Sequence, residues 1–169
     1  MDEYRIFVSY SRTDLKIVGP LVQLLRTADE RIFRDVDSIP PGGRWRAFLT
    51  GAIDGCELLL LFWCRHSSKS LEVKKEYKHA IERTKRIVPI LLDHTYLPAE
   101  LSEYQAIDLR QVLGDHEQRY VEVEEQASGA RPRSSGAVRR WELLTPNDQA
   151  LHDGSWCLRE ALGRIVHGD

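Results

Sequence analysis

Short apolar runs alternate with amphipathic stretches along the first two thirds of the chain. Runs that predict β-strands occur at 5–9, 31–34, 58–63, 87–92 and 106–109. Apolar residues at helical spacing fill the intervals 15–28, 45–55 and 70–84. Strands that alternate with helices form parallel sheets. The pattern therefore predicts an α/β, flavodoxin-like three-layer fold, in which a central five-stranded parallel sheet carries helices on both faces.

Local signals refine these elements. The run Leu58–Trp63 has no polar residue, which predicts a strand covered on both faces. Pro89 predicts that the fourth strand is an edge strand or that Pro89 lies at its start, because proline has no N–H to donate to the hydrogen bonds of a sheet. Asp14 or Thr13 can cap the first helix, and Ser70 can cap the third.

The last third of the chain lacks this alternation. The length of 169 residues suits a single domain, 1–169, with a core over about 4–113. The segment 114–154 is predicted to be a variable insertion or loop, and 122–138 a mobile one, since it mixes acidic residues with a Ser/Gly/Pro-rich run. Apolar residues on one helical face then predict a C-terminal helix over 155–167, which its first residue can cap.

Composition and charge narrow the classes of function. A formal net charge of −2 gives no electrostatic reason to expect a nucleic-acid partner. The longest apolar run, 58–64, is too short to span a bilayer, so no membrane partner is expected. Three cysteines and a polar N-terminus favour a cytoplasmic protein without disulfides. The six histidines are scattered without zinc-ligand spacing, so no metal site is predicted.

Several segments resemble, in order, parts of the TIR domain family. RIFVSYSRTD at 5–14 is similar to the family's first strand and loop, and FRDVDSIPPG at 33–42 to its second strand and BB loop. SLEVKKE at 70–76 resembles the segment that holds the catalytic glutamate of TIR NADases. LPAEL at 97–101 and IDL at 107–109 resemble the closing elements. The resemblance covers roughly two thirds of the chain, as expected for one domain core.

The resemblance implies that Glu76 is the catalytic residue. One position departs from the family pattern, because Glu72 stands where the family often has tryptophan. Without the resemblance, Glu76 would be interpreted as a solvated helix residue, since Lys74 and Lys75 precede it and most helix glutamates are exposed.

The resemblance also implies which residues bind substrate. They follow the first two predicted strands: Tyr10, Ser11, Arg12, Asp35, Asp37 and Ser38. Tyr10 could stack on a ring and Arg12 could pair with a phosphate, although an ordinary polar turn would have the same sequence. Trp45 could line the same pocket, but its place on an apolar helical stripe favours burial in the core.

One carboxylate suffices for the implied chemistry. The nicotinamide of NAD⁺ is already cationic and leaves as a neutral molecule, so no general acid is needed. Positive charge develops on the ribose, as in glycoside cleavage, and a carboxylate held there stabilises it. The reaction needs no cofactor, with NAD⁺ itself as the substrate.

The resemblance implies an NAD⁺ glycohydrolase or cyclase. Its products would be nicotinamide with ADP-ribose or a cyclic ADP-ribose isomer, and prokaryotic relatives often act in antiphage defence. Self-association through the loop 35–43 is implied, with an effector protein downstream. Two alternatives remain open: a non-enzymatic TIR–TIR adaptor, and an enzyme like the nucleoside 2-deoxyribosyltransferases, against which the BB-loop resemblance argues.

Overall fold

A five-stranded parallel sheet forms the centre of the chain in a computed structural model, which describes residues 6–26, 32–34, 42, 44–113, 120–124, 139–143 and 148–167. The strands are β1 Ile6–Ser9, β2 Ile32–Arg34, β3 Leu58–Trp63, β4 Arg86–Leu91 and β5 Ile107–Asp108. Their order is β2-β1-β3-β4-β5 and every pairing is parallel. The flavodoxin-like prediction is confirmed, with a fifth strand of only two residues.

Helices cover both faces of this sheet. They are α1 Leu15–Arg26, α2 Trp45–Gly55, α3 Leu71–Glu82, α4 Arg110–Leu113 and α5 Asp148–His167. Helices α1, α4 and α5 contribute to one hydrophobic cluster, whereas α2 and α3 contribute to the other. Among the described helices, none is both long enough and apolar enough to cross a membrane.

Strand β3 holds the two clusters together. All six of its residues are buried, as its continuous apolar sequence predicts. Because side chains alternate along a strand, Leu60 packs towards α1 while Leu61 packs towards α2 and α3. Leu60 pairs with Val8 on one side and Val88 on the other. Strand β3 therefore lies in the middle of the sheet and also between the two hydrophobic clusters.

Pro89 lies within an interior strand, so the prediction of an edge or a strand start is wrong. The amide of Leu92 donates a hydrogen bond to the carbonyl of Trp63 in β3. The carbonyl of Leu91 accepts one from the amide of Leu109, on the side of β5. Since successive residues of a strand bond to opposite neighbours, the ring nitrogen of Pro89 faces the β5 side. There the pairing with β5 begins only at Ile90, so no ladder bond is lost.

Parts of the segment 114–154, predicted to be a variable insertion or loop, form regular secondary structure. Strands β6 Tyr120–Glu124 and β7 Arg139–Leu143 pair antiparallel within it, and 125–138 lies outside the described residues. Helix α5 begins at Asp148, seven residues before the predicted start. Gly154 lies just before the predicted start of this helix. It lies inside α5 because the helix packs closely there, where a Cβ would lie 3.1 Å from Leu113.

Two glycine substitutions test this close packing. Gly51→Ala, in α2, is expected to raise the free energy of unfolding by about 0.5–1 kcal/mol, because alanine has the higher helix propensity. A Cβ added at this position would have no atom within 4 Å, so no clash opposes the gain. Gly154→Ala is expected to lower it, because overpacking Leu113 and Leu21 costs about 1–3 kcal/mol against a propensity gain of about 1. Urea denaturation measures both, and equal stabilisation by the two variants would contradict the close approach.

Candidate active site

Helix α3 is fixed over the end of the sheet by its cap and its apolar face. The side chain of Ser70 accepts a hydrogen bond from the amide of Val73, which starts the helix as the sequence predicts. Val73 and Tyr77 are buried, and Tyr77 meets Trp63 of β3 edge to face with ring centroids 6.2 Å apart. The residue before Tyr77 is thereby directed to the carboxyl ends of the strands.

That residue is Glu76, which is only 8% exposed. The hydroxyl of Ser9, the last residue of β1, donates to Oε2 of Glu76 at 2.5 Å. Glu72, one turn earlier, has an exposed side chain that pairs with Lys75. The burial of Glu76 excludes its interpretation as a solvated helix residue. A carboxylate buried beside a strand end has the placement that binding or catalysis requires.

A cleft of about 560 Å³ opens beside Glu76. It lies at the carboxyl ends of β1 and β3, where the strand order reverses and where open α/β sheets bind ligands. The volume falls within the usual range for small-molecule sites. Its walls come from the loop after β1, the start of α2 and the start of α3: Tyr10, Ser11, Arg12, Thr13, Trp45, Ser70, Glu72 and Glu76.

Arg12 and Trp45 form one wall of the cleft. The Arg12 guanidinium carbon lies 4.5 Å from the Trp45 ring centroid, which is cation–π geometry. Trp45 is half-buried and also packs against the cluster under α2 and α3, so it combines both predicted locations. Tyr10 is buried among the residues under α1. It therefore forms part of the cleft wall and does not expose an open ring face for stacking.

A smaller cavity of about 120 Å³ lies on the other side of Glu76, between α2 and α3. Arg46 of α2 and His79 of α3 border it, together with Glu72 and Glu76. His79 pairs with Asp54 at 2.8 Å, which ties the end of α3 to α2. Glu72 and Glu76 thus line both the cleft and this smaller cavity.

Comparison with known proteins agrees with this architecture. A family model described as "TIR domain" matches residues 6–123, well over half of the chain. The chain belongs to the TIR domain family. No match was found among curated proteins.

Solved structures of TIR domains share the fold. The TIR domain of the Toll-related receptor TRR-2 from Hydra magnipapillata gives a TM-score of 0.57 at 20% identity, over 62% of this chain and 83% of that one. The TIR domains of the activated Roq1 resistosome, which directly recognises the pathogen effector XopQ, give 0.51 at 19% identity. There the match covers 55% of this chain and 59% of that one. At these identities the likeness concerns the fold alone.

The structure brings five of the eight predicted site residues to the cleft of this TIR domain. They are Tyr10, Ser11, Arg12, Trp45 and Glu76. The other three, Asp35, Asp37 and Ser38, lie outside the described residues, as does most of the loop 35–43.

The sequence prediction missed four residues of this TIR domain's site. Ser9, Thr13, Ser70 and Glu72 contact Glu76 or line the cleft. Two signals were available. Ser9 ends a predicted strand, and Glu72 precedes Glu76 by one helical turn.

Cys64 follows β3 directly and is fully buried in this TIR domain. Burial raises the pKa of its thiol to about 12, and the neighbouring Asp14 carboxylate contributes to the increase. The thiol is therefore protonated at neutral pH. A protonated, buried thiol is a poor nucleophile, so Glu76 is the better candidate for chemistry in the cleft.

Proposed function

We propose that this TIR domain cleaves the nicotinamide–ribose bond of NAD⁺ and that Glu76 is its catalytic residue. The observation that carries the proposal is the burial of this carboxylate at the edge of the cleft, held by Ser9 at the sheet's switch point. The resemblance of 70–76 to the catalytic segment of TIR NADases supports the same residue.

The chemistry follows from the position of one negative charge. As the bond between ribose and nicotinamide breaks, its electron pair neutralises the pyridinium ring and the ribose becomes cationic. The Glu76 carboxylate stabilises that charge, and its partial exclusion from water strengthens the effect. Water then attacks the ribose, loses a proton to solvent and gives ADP-ribose. Attack by a nucleophile of the same substrate molecule gives a cyclic isomer instead. No cofactor is needed.

The cleft offers groups that suit the remainder of NAD⁺. Arg12 carries a positive charge for the diphosphate, and Trp45 presents an aromatic surface beside it. Tyr10 and Ser11 line the same wall. By resemblance, Asp35, Asp37 and Ser38 approach the substrate from the loop after β2.

We assign the loop 35–43 a second role in self-association. A second copy bound through this loop would cover the cleft and exclude water from it. The proposed setting is a cytoplasmic defence or signalling pathway, in which the product acts on a downstream effector. Self-association predicts that the rate per chain rises with protein concentration. A rate per chain that stays constant across dilution contradicts it.

The direct test is incubation with NAD⁺ and chromatographic detection of nicotinamide, with and without a crowding agent. Release of nicotinamide with ADP-ribose or a cyclic isomer is expected. Absence of nicotinamide under both conditions, with folded protein, contradicts the enzyme. The alternative of a non-enzymatic TIR–TIR adaptor would then stand.

A further inference from the structure

Three residues with metal-ligating side chains meet beside the cleft, and none of them is used in the proposed reaction. Asp14 ends the turn after β1, whereas Cys64 and His66 follow β3. A carboxylate oxygen of Asp14, Sγ of Cys64 and a ring nitrogen of His66 all lie within 4.8 Å of one another. We propose that this cluster binds a divalent metal ion of the zinc class.

Hydrogen bonds already hold the three side chains together. Sγ of Cys64 donates to Oδ2 of Asp14 at 2.8 Å, and Nδ1 of His66 lies 2.8 Å from Oδ1. A metal ion replaces the protons at these contacts. The thiol releases its proton to solvent, and the neutral imidazole offers the Nδ1 lone pair while its proton sits on Nε2. Small side-chain shifts bring the ligand atoms from their present spacing to metal–ligand distances.

The set of donors selects the metal. Sulfur and imidazole nitrogen favour zinc and its neighbours, whereas one carboxylate is too few oxygen ligands for calcium. A thiolate, a carboxylate and a neutral imidazole carry two negative charges, which a divalent ion neutralises. Neutrality matters because Asp14 and Cys64 are almost completely buried, and an uncompensated charge there would be costly.

The cluster of Asp14, Cys64 and His66 is accessible to a metal ion, and further hydrogen bonds support its ligands. His66 is 21% exposed, so a metal ion can enter past it and keep a water molecule as the fourth ligand. The Ser67 hydroxyl accepts a hydrogen bond from the amide of Cys64 and donates one to the carbonyl oxygen of Cys64. Its Oγ also lies 3.7 Å from Sγ of Cys64. Such surrounding hydrogen bonds fix the orientation of a ligand.

A bound ion would tie two loops together. One carries Arg12 and Thr13 and the other leads to Ser70, and all three residues line the cleft beside Glu76. Metal binding at this cluster therefore fixes two walls of the cleft, without entering the cleavage of NAD⁺.

Cobalt provides a direct probe, because Co²⁺ bound to a thiolate absorbs through sulfur-to-metal charge transfer. The untagged 169-residue chain, freed of metal with a chelator, is titrated with Co²⁺ and then with Zn²⁺. We expect one equivalent per chain and displacement by zinc. Cys64→Ser should abolish the absorption. His66→Gln should weaken binding at least about tenfold, since even residues outside the ligand set change affinity by that much.

Matched controls separate the cluster from other thiols and histidines. Cys56→Ala removes another buried thiol. His79→Gln removes a histidine with the same 21% exposure and the same 2.8 Å contact to a carboxylate, that of Asp54. Both controls should bind cobalt like the wild type, and circular dichroism confirms that each variant is folded. Absorption that is missing in the folded wild type, persists in Cys64→Ser or disappears in Cys56→Ala overturns the site. The titration contains no NAD⁺, so its outcome does not depend on the proposed function.

Discussion

Glu76→Gln is expected to lower the rate of NAD⁺ cleavage about 10²–10³-fold, the loss typical of removing one preorganised group that stabilises transition-state charge. The amide is neutral and cannot stabilise a cationic ribose, but its oxygen can still accept the hydrogen bond from Ser9. The fold should therefore be kept. The loss should fall on kcat, because the charge develops only in the transition state. Nicotinamide release at saturating NAD⁺ measures it.

Glu72→Gln is the matched control. It makes the same substitution one turn earlier on the same helix and beside the same cleft. Its side chain is exposed, so water screens its charge far more than that of the buried Glu76, and the rate should change at most about fivefold. Full activity of Glu76→Gln, or equal losses in the two variants, would contradict the assignment of the catalytic residue.

Leu60→Ala is expected to lower the free energy of unfolding by about 2–5 kcal/mol, because it leaves a cavity in a closely packed core. Leu60 is 0% exposed and lies on the central strand between β1 and β4. A loss of this size is a large part of the stability of a typical domain, about 5–15 kcal/mol. Urea denaturation, with an unchanged m-value, is the measurement.

Leu71→Ala makes the same change at an exposed position. Leu71 is 71% exposed at the first residue of α3, so its truncation should alter stability by at most about 0.5 kcal/mol. Comparable losses in Leu60→Ala and Leu71→Ala would show that the described core is placed wrongly.

Much of the fold could be predicted because it depends on local pattern. The six apolar residues of β3 predict a strand buried on both faces, and Ser70 marks the start of α3. Alternating strands and helices leave few topologies, of which the flavodoxin-like order is one. The stretch 70–76 also places Glu76 on a helix near the strand ends, through its resemblance to a known family.

Other features depend on which elements pack together. Pro89 is tolerated within the sheet because β5, the neighbouring strand, is too short to pair with it. The length of β5 cannot be read from the sequence around Pro89. Gly154 lies inside α5 where Leu21 and Leu113 approach closely from other helices, which no local pattern in the sequence reveals. The sequence-based interpretation of Pro89 was wrong because it considered only the local residues and not the length of the neighbouring strand.

The site divides in the same way. The sequence by itself determined the five strands of the parallel sheet, most helices and the position of Glu76 along α3, because hydrophobic periodicity and helix capping act over a few residues. Only the tertiary structure decided that Glu76 is buried against Ser9 while Glu72 is exposed, and that Asp14 meets Cys64 and His66. These contacts join residues 50 or more positions apart, and they exist only because parallel strands bring their carboxyl ends to one edge of the sheet.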